Sequence, residues 1–251
     1  MSTFDIRNMG RLRDSVPRAG APKPSPCSAC TVRHLTLCAS LEEEELAGMS
    51  AIVSAMELAP GDPLFDEGEP ANHVFNVTAG AVKVYKLLAD GRRQMTGFLF
   101  PGDFLGLANE ETYAYSAEAV THTTLCRFPR RKLERLLEQY PKMERRLLGM
   151  ASHELAVAQE QMLLLGRKTA REKIASFLLM LSRRAVQRGQ NGDPVGVPMS
   201  RNDIADYLGL TTETVSRTFT QLKQKGAINL LPGGKVELAD RPRMEEIAEG
   251  E

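Results

Sequence analysis

The sequence has little of what a membrane protein, a secreted protein or a nonspecific nucleic-acid-binding protein needs. Its longest apolar runs, such as residues 162–165, are far shorter than the roughly 20 residues of a transmembrane helix. The N-terminal residues include several arginines but no apolar stretch, which argues against a secretory signal peptide and predicts a cytoplasmic protein without membrane attachment. The 32 basic and 32 acidic side chains cancel, so bulk charge alone does not hold nucleic acid.

The composition is that of a globular protein whose charge is unevenly distributed. The 251 residues suffice for one large or two ordinary domains, and 42% of them are hydrophobic. Between Arg167 and Gly226 there are eleven Lys or Arg against five acidic residues, a net charge of +6 on a neutral chain. Such a basic third is typical of a nucleic-acid-binding domain, although a basic solvated surface would have the same composition.

The first half of the chain predicts a leader followed by a β domain. Residues 1–26 contain four prolines and few large apolar side chains, which predicts a flexible leader. From about residue 58 to residue 131, turn signals recur between short apolar runs such as 82–85. This spacing predicts an all-β sandwich, barrel or jelly roll, and we expect the sensor domain to occupy 27–140.

After Pro129 the hydrophobic period becomes helical. Residues 132–140 predict a short helix, and Pro141 begins a long one whose apolar positions alternate three and four residues apart, as in a coiled-coil seam. The seam comprises Leu148, Ala151, Leu155, Ala158, Met162 and Leu165. We expect residues 141–166 to form a dimerisation helix, of modest strength because alanine buries little area. A helix packed only within its own chain is the alternative.

Residues 167–251 predict a winged helix-turn-helix, two helices joined by a tight glycine turn and followed by a hairpin. The expected elements are a helix over 169–188, a helix over 201–208 capped by Ser200, a turn at Gly209, a helix from the Thr211 cap to about residue 225, and a β-hairpin over 228–238.

The second helix of this motif has two distinct faces. Its apolar positions i, i+4 and i+7, which we expect to face the core, are Val215, Phe219 and Leu222. Glu213, Ser216 and Arg217 then lie on the opposite face near the helix N-terminus, the end that enters the major groove. Arginine can bond guanine O6 and N7, and glutamate can accept from cytosine N4. A surface ion pair between Glu213 and Arg217 is the alternative.

Four cysteines are the candidate metal ligands. Cys27, Cys30 and Cys38 lie near the N-terminus, and Cys126 stands alone after the β region. Four thiolates are what a [4Fe-4S] cluster requires, but zinc accepts four thiolates, or three with His34. A Cys-x-x-Cys pair is also found in redox sites, and a single strand cysteine can be a small core residue. Structural disulfides are rare in the cytoplasm.

A family resemblance narrows these alternatives. The stretch 203–217, DIADYLGLTTETVSR, closely resembles the helix-turn-helix of the Crp/Fnr family of transcription regulators, and its Glu-x-x-Ser-Arg spacing is similar to that of the Fnr branch. The resemblance spans roughly 27–240. It implies an α+β fold with an N-terminal cyclic-nucleotide-binding-like β-roll (a jelly roll), a long dimerisation helix and a C-terminal winged helix-turn-helix.

The resemblance also implies partners. The protein would be a homodimeric activator on palindromic double-stranded DNA, with Glu213, Ser216 and Arg217 reading sites of the form TTGAT-N4-ATCAA. The family contacts RNA polymerase through surface loops, for which the turn at Asp90 and Gly91 is the candidate here. A plain hairpin turn is the alternative for that segment.

For the cysteines, the resemblance implies an oxygen sensor. Fnr proteins hold an oxygen-labile [4Fe-4S] cluster with an N-terminal cysteine group and one central cysteine, which correspond to Cys27, Cys30, Cys38 and Cys126. The best-known members have five residues between the second and third cysteines, whereas this chain has seven, a spacing that also occurs in the family. The implied function is control of anaerobic or microaerobic genes. A zinc site, or sensing of NO or thiol oxidation, on the same architecture is the alternative.

Two other functions of a β-roll are less compatible with the sequence. The Crp branch holds a cyclic phosphate with an arginine beside a serine, but no basic residue lies near Ser116. Because burying a phosphate without a counter-charge is unfavourable, we expect no cyclic nucleotide. An enzyme on a cupin-like roll would need a His/Glu metal triad, and His73 and His122 are in no paired motif. We therefore expect no enzyme.

Overall fold

A computed structural model describes residues 27, 30–107 and 111–250. The leader expected over 1–26 lies outside these residues. The first part contains 3₁₀ helices over Arg33–Leu35 and Leu37–Ser40, helix α1 over Leu46–Ile52, and eight strands. The strands are β1 (Ser54–Leu58), β2 (Pro63–Phe65), β3 (His73–Ala79), β4 (Val82–Leu87), β5 (Arg93–Leu99), β6 (Phe104–Leu105), β7 (Ser116–Ala119) and β8 (Thr123–Pro129).

These strands form the expected β-roll. Two four-stranded sheets, with orders β1-β8-β3-β6 and β2-β7-β4-β5, pair antiparallel throughout. Both sheets contribute side chains to one apolar cluster, including Val77 and Leu125 from the first and Val82 and Ala119 from the second. The β3–β4 turn requires glycine, because Gly80 has a φ of +85° and a Cβ there would lie 2.4 Å from the His122 carbonyl oxygen.

The second part is helical, with a small sheet. Its helices are α2 (Arg130–Gln139), α3 (Pro141–Arg167), α4 (Ala170–Gln187), α5 (Arg201–Leu208), α6 (Thr212–Gln224) and α7 (Arg241–Glu249). Its strands are β9 (Val195–Gly196), β10 (Asn229–Leu231) and β11 (Lys235–Glu237). Within the described ranges, no helix has the length and apolar character needed to cross a bilayer.

Local hydrogen bonds explain where the helices of the helix-turn-helix begin and end. The Ser200 hydroxyl accepts from Asp203 N at 3.0 Å, and the Asp203 carboxylate accepts from Ser200 N, which completes a capping box for α5. Gly209 ends α5 in the left-handed conformation, at a φ of +60°. The Thr211 hydroxyl accepts from Thr214 N at the start of α6. The expected caps and turn are confirmed.

The third strand of the wing and the helices α7 and α1 were not predicted from the sequence. The wing is a three-stranded sheet of order β10-β11-β9 rather than a two-stranded hairpin, because the two-residue strand β9 also pairs with β11. Helix α7 packs on α4 through Met244 and Ile247, both buried, and α1 packs on α2. Elements as short as β9 and α1 leave no periodic signal that could be recognised in the sequence.

The helix-turn-helix is docked on the outer face of the sheet containing β4 and β5. The rings of Phe98 on β5 and Tyr207 on α5 lie 5.2 Å apart between centroids. Lys83 Nζ on β4 lies 2.8 Å from Glu118 Oε1 on β7 and 3.3 Å from Asp203 Oδ1 on α5. Lys83 and Asp203 are both buried. The β-roll therefore supports the first helix of the motif directly.

Candidate DNA-reading surface and cysteine site

Helix α6 has one buried and one exposed face, as the sequence predicts. The buried side chains are Val215, Thr218, Phe219 and Leu222. Glu213, Ser216 and Arg217 are exposed on the opposite face, within the first turns after the Thr211 cap. We call these three side chains the DNA-reading surface. Their orientation allows contact with base edges, and their roles in DNA binding stay predictions.

No ion pair within the described residues neutralises the charges of the DNA-reading surface. Among the described residues, neither Glu213 nor Arg217 forms an ion pair, so the i,i+4 pair considered above is not made. Lys223 and Lys225 at the other end of α6 are also exposed. The guanidinium of Arg201 lies 3.4 Å from the centroid of the Phe219 ring and so belongs to the domain core. Arg217 is therefore not held by any described acidic side chain and is free to bind a base or a phosphate.

Helix α3 exposes an apolar stripe. It is 27 residues long, yet only Met143 is buried. The exposed fractions of three predicted seam residues are 68% for Leu148, 60% for Leu155 and 68% for Met162, and Ala151 and Ala158 are also exposed. Leu165 is half-buried, and a methyl group at Gly209 would lie 3.4 Å from its Cδ2 atom. An exposed stripe of this kind is what a partner helix would cover.

The four cysteines line one small cavity. Cys38 lies in the second 3₁₀ helix, and Cys27 and Cys30 lie in the segment before it. Cys126 on β8 projects from the β-roll into the same cavity. All four side chains are half-buried. We call these four residues the cysteine site, and the fold brings together what the sequence separates.

Burial keeps the deeper thiols protonated. It raises the pKa of Cys38 to about 11, and the neighbouring Cys27 and Cys30 add to the rise while a hydrogen bond with Thr36 opposes it. Burial, with the other three cysteines, raises the pKa of Cys126 to about 12. A bound metal cation would favour the thiolate form of both residues. Cys38 and Cys126 are therefore better suited to metal ligation than to acting as reactive thiols.

The four thiols have the donor chemistry for either a single metal ion or a cluster, and both centres would need them to rearrange. In the described part of the chain, no three His, Cys, Asp or Glu side chains are close enough to hold one metal ion. Zinc gathers four ligands around one ion, whereas a [4Fe-4S] cluster takes one thiolate on each of four irons, farther apart. His34 is exposed and does not line the cavity. The cavity measures about 20 Å³, so a cluster would require the segment with Cys27 and Cys30 to lie farther out.

Arg146 connects the cysteine site to α3, which sequence reasoning missed. Its Nε donates to the Thr36 carbonyl oxygen at 2.6 Å, and its Nη2 donates to the His34 carbonyl oxygen at 3.1 Å. One guanidinium thus joins both 3₁₀ helices to the predicted dimerisation helix. An arginine on a helix face gives no signal that distinguishes this role from a solvated charge.

The predicted polymerase contact lies at an exposed hairpin tip. Asp90 and Gly91 join β4 to β5, with Gly91 at a φ of +82°. Arg92 Nε donates to Asp90 Oδ2 at 2.7 Å. Leu87 and Leu88 beside the turn are 57% and 45% exposed. The turn is accessible to a protein partner, and its contact with RNA polymerase stays a prediction.

Ser116 does not face an open phosphate site. It is buried, and its hydroxyl accepts from Glu67 N at 2.9 Å. A larger cavity of about 870 Å³ lies between β5, α3 and α4, and Ser116 does not line it. In that cavity Arg184 is paired with Asp103. The absence of cyclic nucleotide binding stays a prediction.

Two protein families match the chain. Residues 55–140 match the cyclic nucleotide-binding domain, and residues 172–247 match the Crp-like helix-turn-helix domain. A solved structure, FixK2 from Bradyrhizobium japonicum, is 39% identical with a TM-score of 0.73, covering 78% of this chain and 97% of that chain.

Curated proteins are similar over most of their length. The nitrogen fixation regulation protein FixK of Bradyrhizobium diazoefficiens is 42% identical over 222 residues, 88% of this chain and 93% of the relative. The transcriptional activator FnrL of Cereibacter sphaeroides is 40% identical over 226 residues, 88% of this chain and 91% of the relative. The transcriptional activator anr of Pseudomonas aeruginosa is 39% identical over 228 residues, 90% of this chain and 93% of the relative. All three are named as regulators or activators.

Proposed function

The chain belongs to the Crp/Fnr family of DNA-binding transcription activators, and we propose that it is a homodimer that senses oxygen through a [4Fe-4S] cluster. Like its relatives it is a regulator and not an enzyme. The ligands of the cluster would be Cys27, Cys30, Cys38 and Cys126. The observation that carries the proposal is the convergence of these four half-buried thiols on one cavity.

A bound cluster would supply an oxygen-labile group in contact with the β-roll and the preceding loop. The protein's own residues would hold that loop and transmit a change in its position to α3. Few side chains of the loop are buried, Thr36, Leu37 and Leu41 among them, so metal ligation would supply much of its order. Because Arg146 bonds both 3₁₀ helices to α3, a change in the loop would alter the support of the exposed α3 stripe.

The same proposal assigns the DNA site. Two copies of α6 in a two-fold dimer would enter successive major grooves, with half-site centres about 10 bp apart. Glu213, Ser216 and Arg217 would read a palindrome resembling TTGAT-N4-ATCAA in anaerobic or microaerobic genes, inside the cytoplasm. The turn at Asp90 and Gly91 would contact RNA polymerase.

The alternatives on the same architecture would use the same cysteines. A single zinc ion would use the same four thiolates, and the metal content of air-free protein separates it from the cluster. Thiol-redox sensing needs a reactive thiolate, and burial raises the pKa of both Cys38 and Cys126, which leaves Cys27 and Cys30 as the candidate redox pair. Sensing of NO would act at the same four cysteines and is compatible with the proposal.

The test is purification of the full-length protein without air. We expect a brown protein with a visible cluster absorption and about four irons and four sulfides per chain. It should bind a TTGAT-N4-ATCAA duplex tightly before exposure to air and weakly after it, with a scrambled duplex as the control. A colourless protein that contains zinc would overturn the cluster. Equal DNA affinity before and after air would overturn oxygen sensing.

A further inference from the structure

One side chain in the cysteine cavity has a buried polar atom without a partner. Asn76 on β3 is 2% exposed, and its Oδ1 atom accepts no hydrogen bond from any described residue. Burying an amide without a hydrogen bond is unfavourable. A group that the protein binds in this cavity would supply the partner that the Asn76 amide lacks.

The position of Asn76 points its side chain at the cysteine site. Asn76 lies directly opposite Cys126 in the antiparallel pairing of β3 with β8. Directly opposite residues of such a pair project to the same side of the sheet, with Cβ atoms about 4.5–5.5 Å apart. Asn76 and Cys126 both line the cysteine cavity.

The other polar groups around this cavity are already bonded. The Thr78 hydroxyl is 2.8 Å from the Thr124 hydroxyl, and the Thr36 hydroxyl donates to the Arg33 carbonyl oxygen. Arg33 itself donates to the Leu41 carbonyl oxygen at 2.6 Å. The rest of the lining is Leu46, Phe128 and the four cysteines. Within the described part of the chain, Asn76 is therefore the lining amide whose bonding is incomplete.

We infer that Asn76 donates a side-chain N–H to a sulfur of the bound cluster and so tunes its stability toward oxygen. This inference rests on the proposed function. The oxygen and nitrogen of an amide are nearly interchangeable in shape, so a half-turn of the amide presents Nδ2 to the cavity without repacking β3. Hydrogen bonds to the sulfurs, together with burial, set the potential of a cluster. A donor stabilises the more electron-rich state, because the sulfurs carry more negative charge in it.

The sequence at this position supports a specific role. Its neighbours on β3, Val74, Phe75 and Val77, are buried apolar residues. A valine or leucine would continue that pattern and leave no unbonded amide. Asparagine is also depleted in strands. Asn76 is thus a polar residue where buried positions favour apolar ones, and an asparagine where strands disfavour it. It stands at the point where β3 faces the cysteines.

The experiment compares the full-length protein with Asn76→Leu, which removes the donor at similar size, and with Asn76→Gln, which keeps one. Thr78→Val is the matched control, since it removes a polar group of the same cavity whose hydroxyl already has a protein partner. For each air-free protein, iron and sulfide content, the cluster midpoint potential and the rate of absorbance loss in air are measured.

We expect Asn76→Leu to hold the cluster but to lose it in air several-fold to about tenfold faster, at a more negative potential. Asn76→Gln should lie between Asn76→Leu and the unmodified protein, and Thr78→Val should match the unmodified protein. If Asn76→Leu folds without a cluster, Asn76→Gln alone must show the faster loss. Equal decay rates and potentials for all variants would overturn the role of Asn76. An unmodified protein without iron would instead overturn the proposed function itself.

Discussion

The DNA-reading surface and the cysteine site are built in opposite ways. The first comes from one continuous stretch whose caps, turn and core contacts are all supplied by the protein. The second takes one residue from β8 and the others from a loop of 3₁₀ helices with a small buried core. When a site is held by the protein's own hydrogen bonds, the sequence determines its geometry. When a site is completed by an inorganic group, part of its geometry comes from that group.

The largest expected effect tests that dependence directly. Cys126→Ser should lose most of the cluster iron and most of the specific DNA binding, because the β-roll would then supply no ligand. Iron and sulfide analysis of air-free protein measures the first effect, and a duplex titration measures the second. Arg217→Ala is the matched comparison, since it should keep full iron while losing specificity. A full iron content in Cys126→Ser would show that the fourth ligand is elsewhere.

The second prediction concerns the α3 stripe, which connects the two regions. Leu155→Glu should make the protein monomeric at micromolar concentration. Burying one leucine contributes about 1.5–3 kcal/mol, so two copies correspond to roughly two to four orders of magnitude in the dimer dissociation constant. Analytical sedimentation provides the measurement.

Leu163→Glu is the control for this prediction, because Leu163 is as exposed as Met162 but lies outside the predicted seam. A dimer that survives Leu155→Glu would contradict the seam assignment. We also expect unmodified protein to sediment differently before and after exposure to air, since a change of a few kcal/mol shifts such an equilibrium. Identical dimers in both states would indicate a rearrangement within a standing dimer.

The comparison also separates what the sequence could predict. Ser200, Gly209 and Thr211 are cap and turn residues with strong local preferences, and the structure places each as expected. The sequence could group the four cysteines into one site, but it could not give the distances between their sulfurs. The contacts of Arg146 with the loop and of Lys83 with Asp203 join segments far apart in sequence, and a charged residue has no periodic signal for such pairing. Asn76 is detectable only once β3 is known to face Cys126.

The third prediction addresses the DNA-reading surface alone. Arg217→Ala should weaken binding to TTGAT-N4-ATCAA by about 1–3 kcal/mol per half-site, because one bidentate contact to guanine is lost in each. Affinity for a scrambled duplex should stay within a few-fold. Titrations of both duplexes at several salt concentrations provide the measurement. An equal loss on the two duplexes would make Arg217 a phosphate contact.

Lys223→Gln and Lys225→Gln are the controls for Arg217. Both side chains are exposed at the far end of α6, where they would meet the phosphate backbone. They should weaken binding to all sequences alike and flatten the salt dependence. A loss of specificity in either lysine variant would indicate that this end of the helix also takes part in sequence recognition.

The smallest expected effect is on stability, and it tests whether the DNA-binding region is independent of the cluster. Ser200→Ala removes the hydroxyl that accepts from Asp203 N at 3.0 Å and donates to Asp203 Oδ2 at 2.7 Å. Loss of such a cap lowers the free energy of unfolding by about 1 kcal/mol, or about 2–4 °C in Tm for a domain of this size. Because both partners of this cap, Ser200 and Asp203, lie at the start of α5, the loss of stability should be the same with and without the cluster. Thermal unfolding of air-free and air-exposed protein, each against its unmodified counterpart, measures both losses. If the loss appears in only one of the two states, then the stability of α5 is coupled to the cysteine site. In that case the contacts that join the β-roll to α5, such as the buried ion pair of Lys83 with Asp203, would carry the effect to the helix-turn-helix.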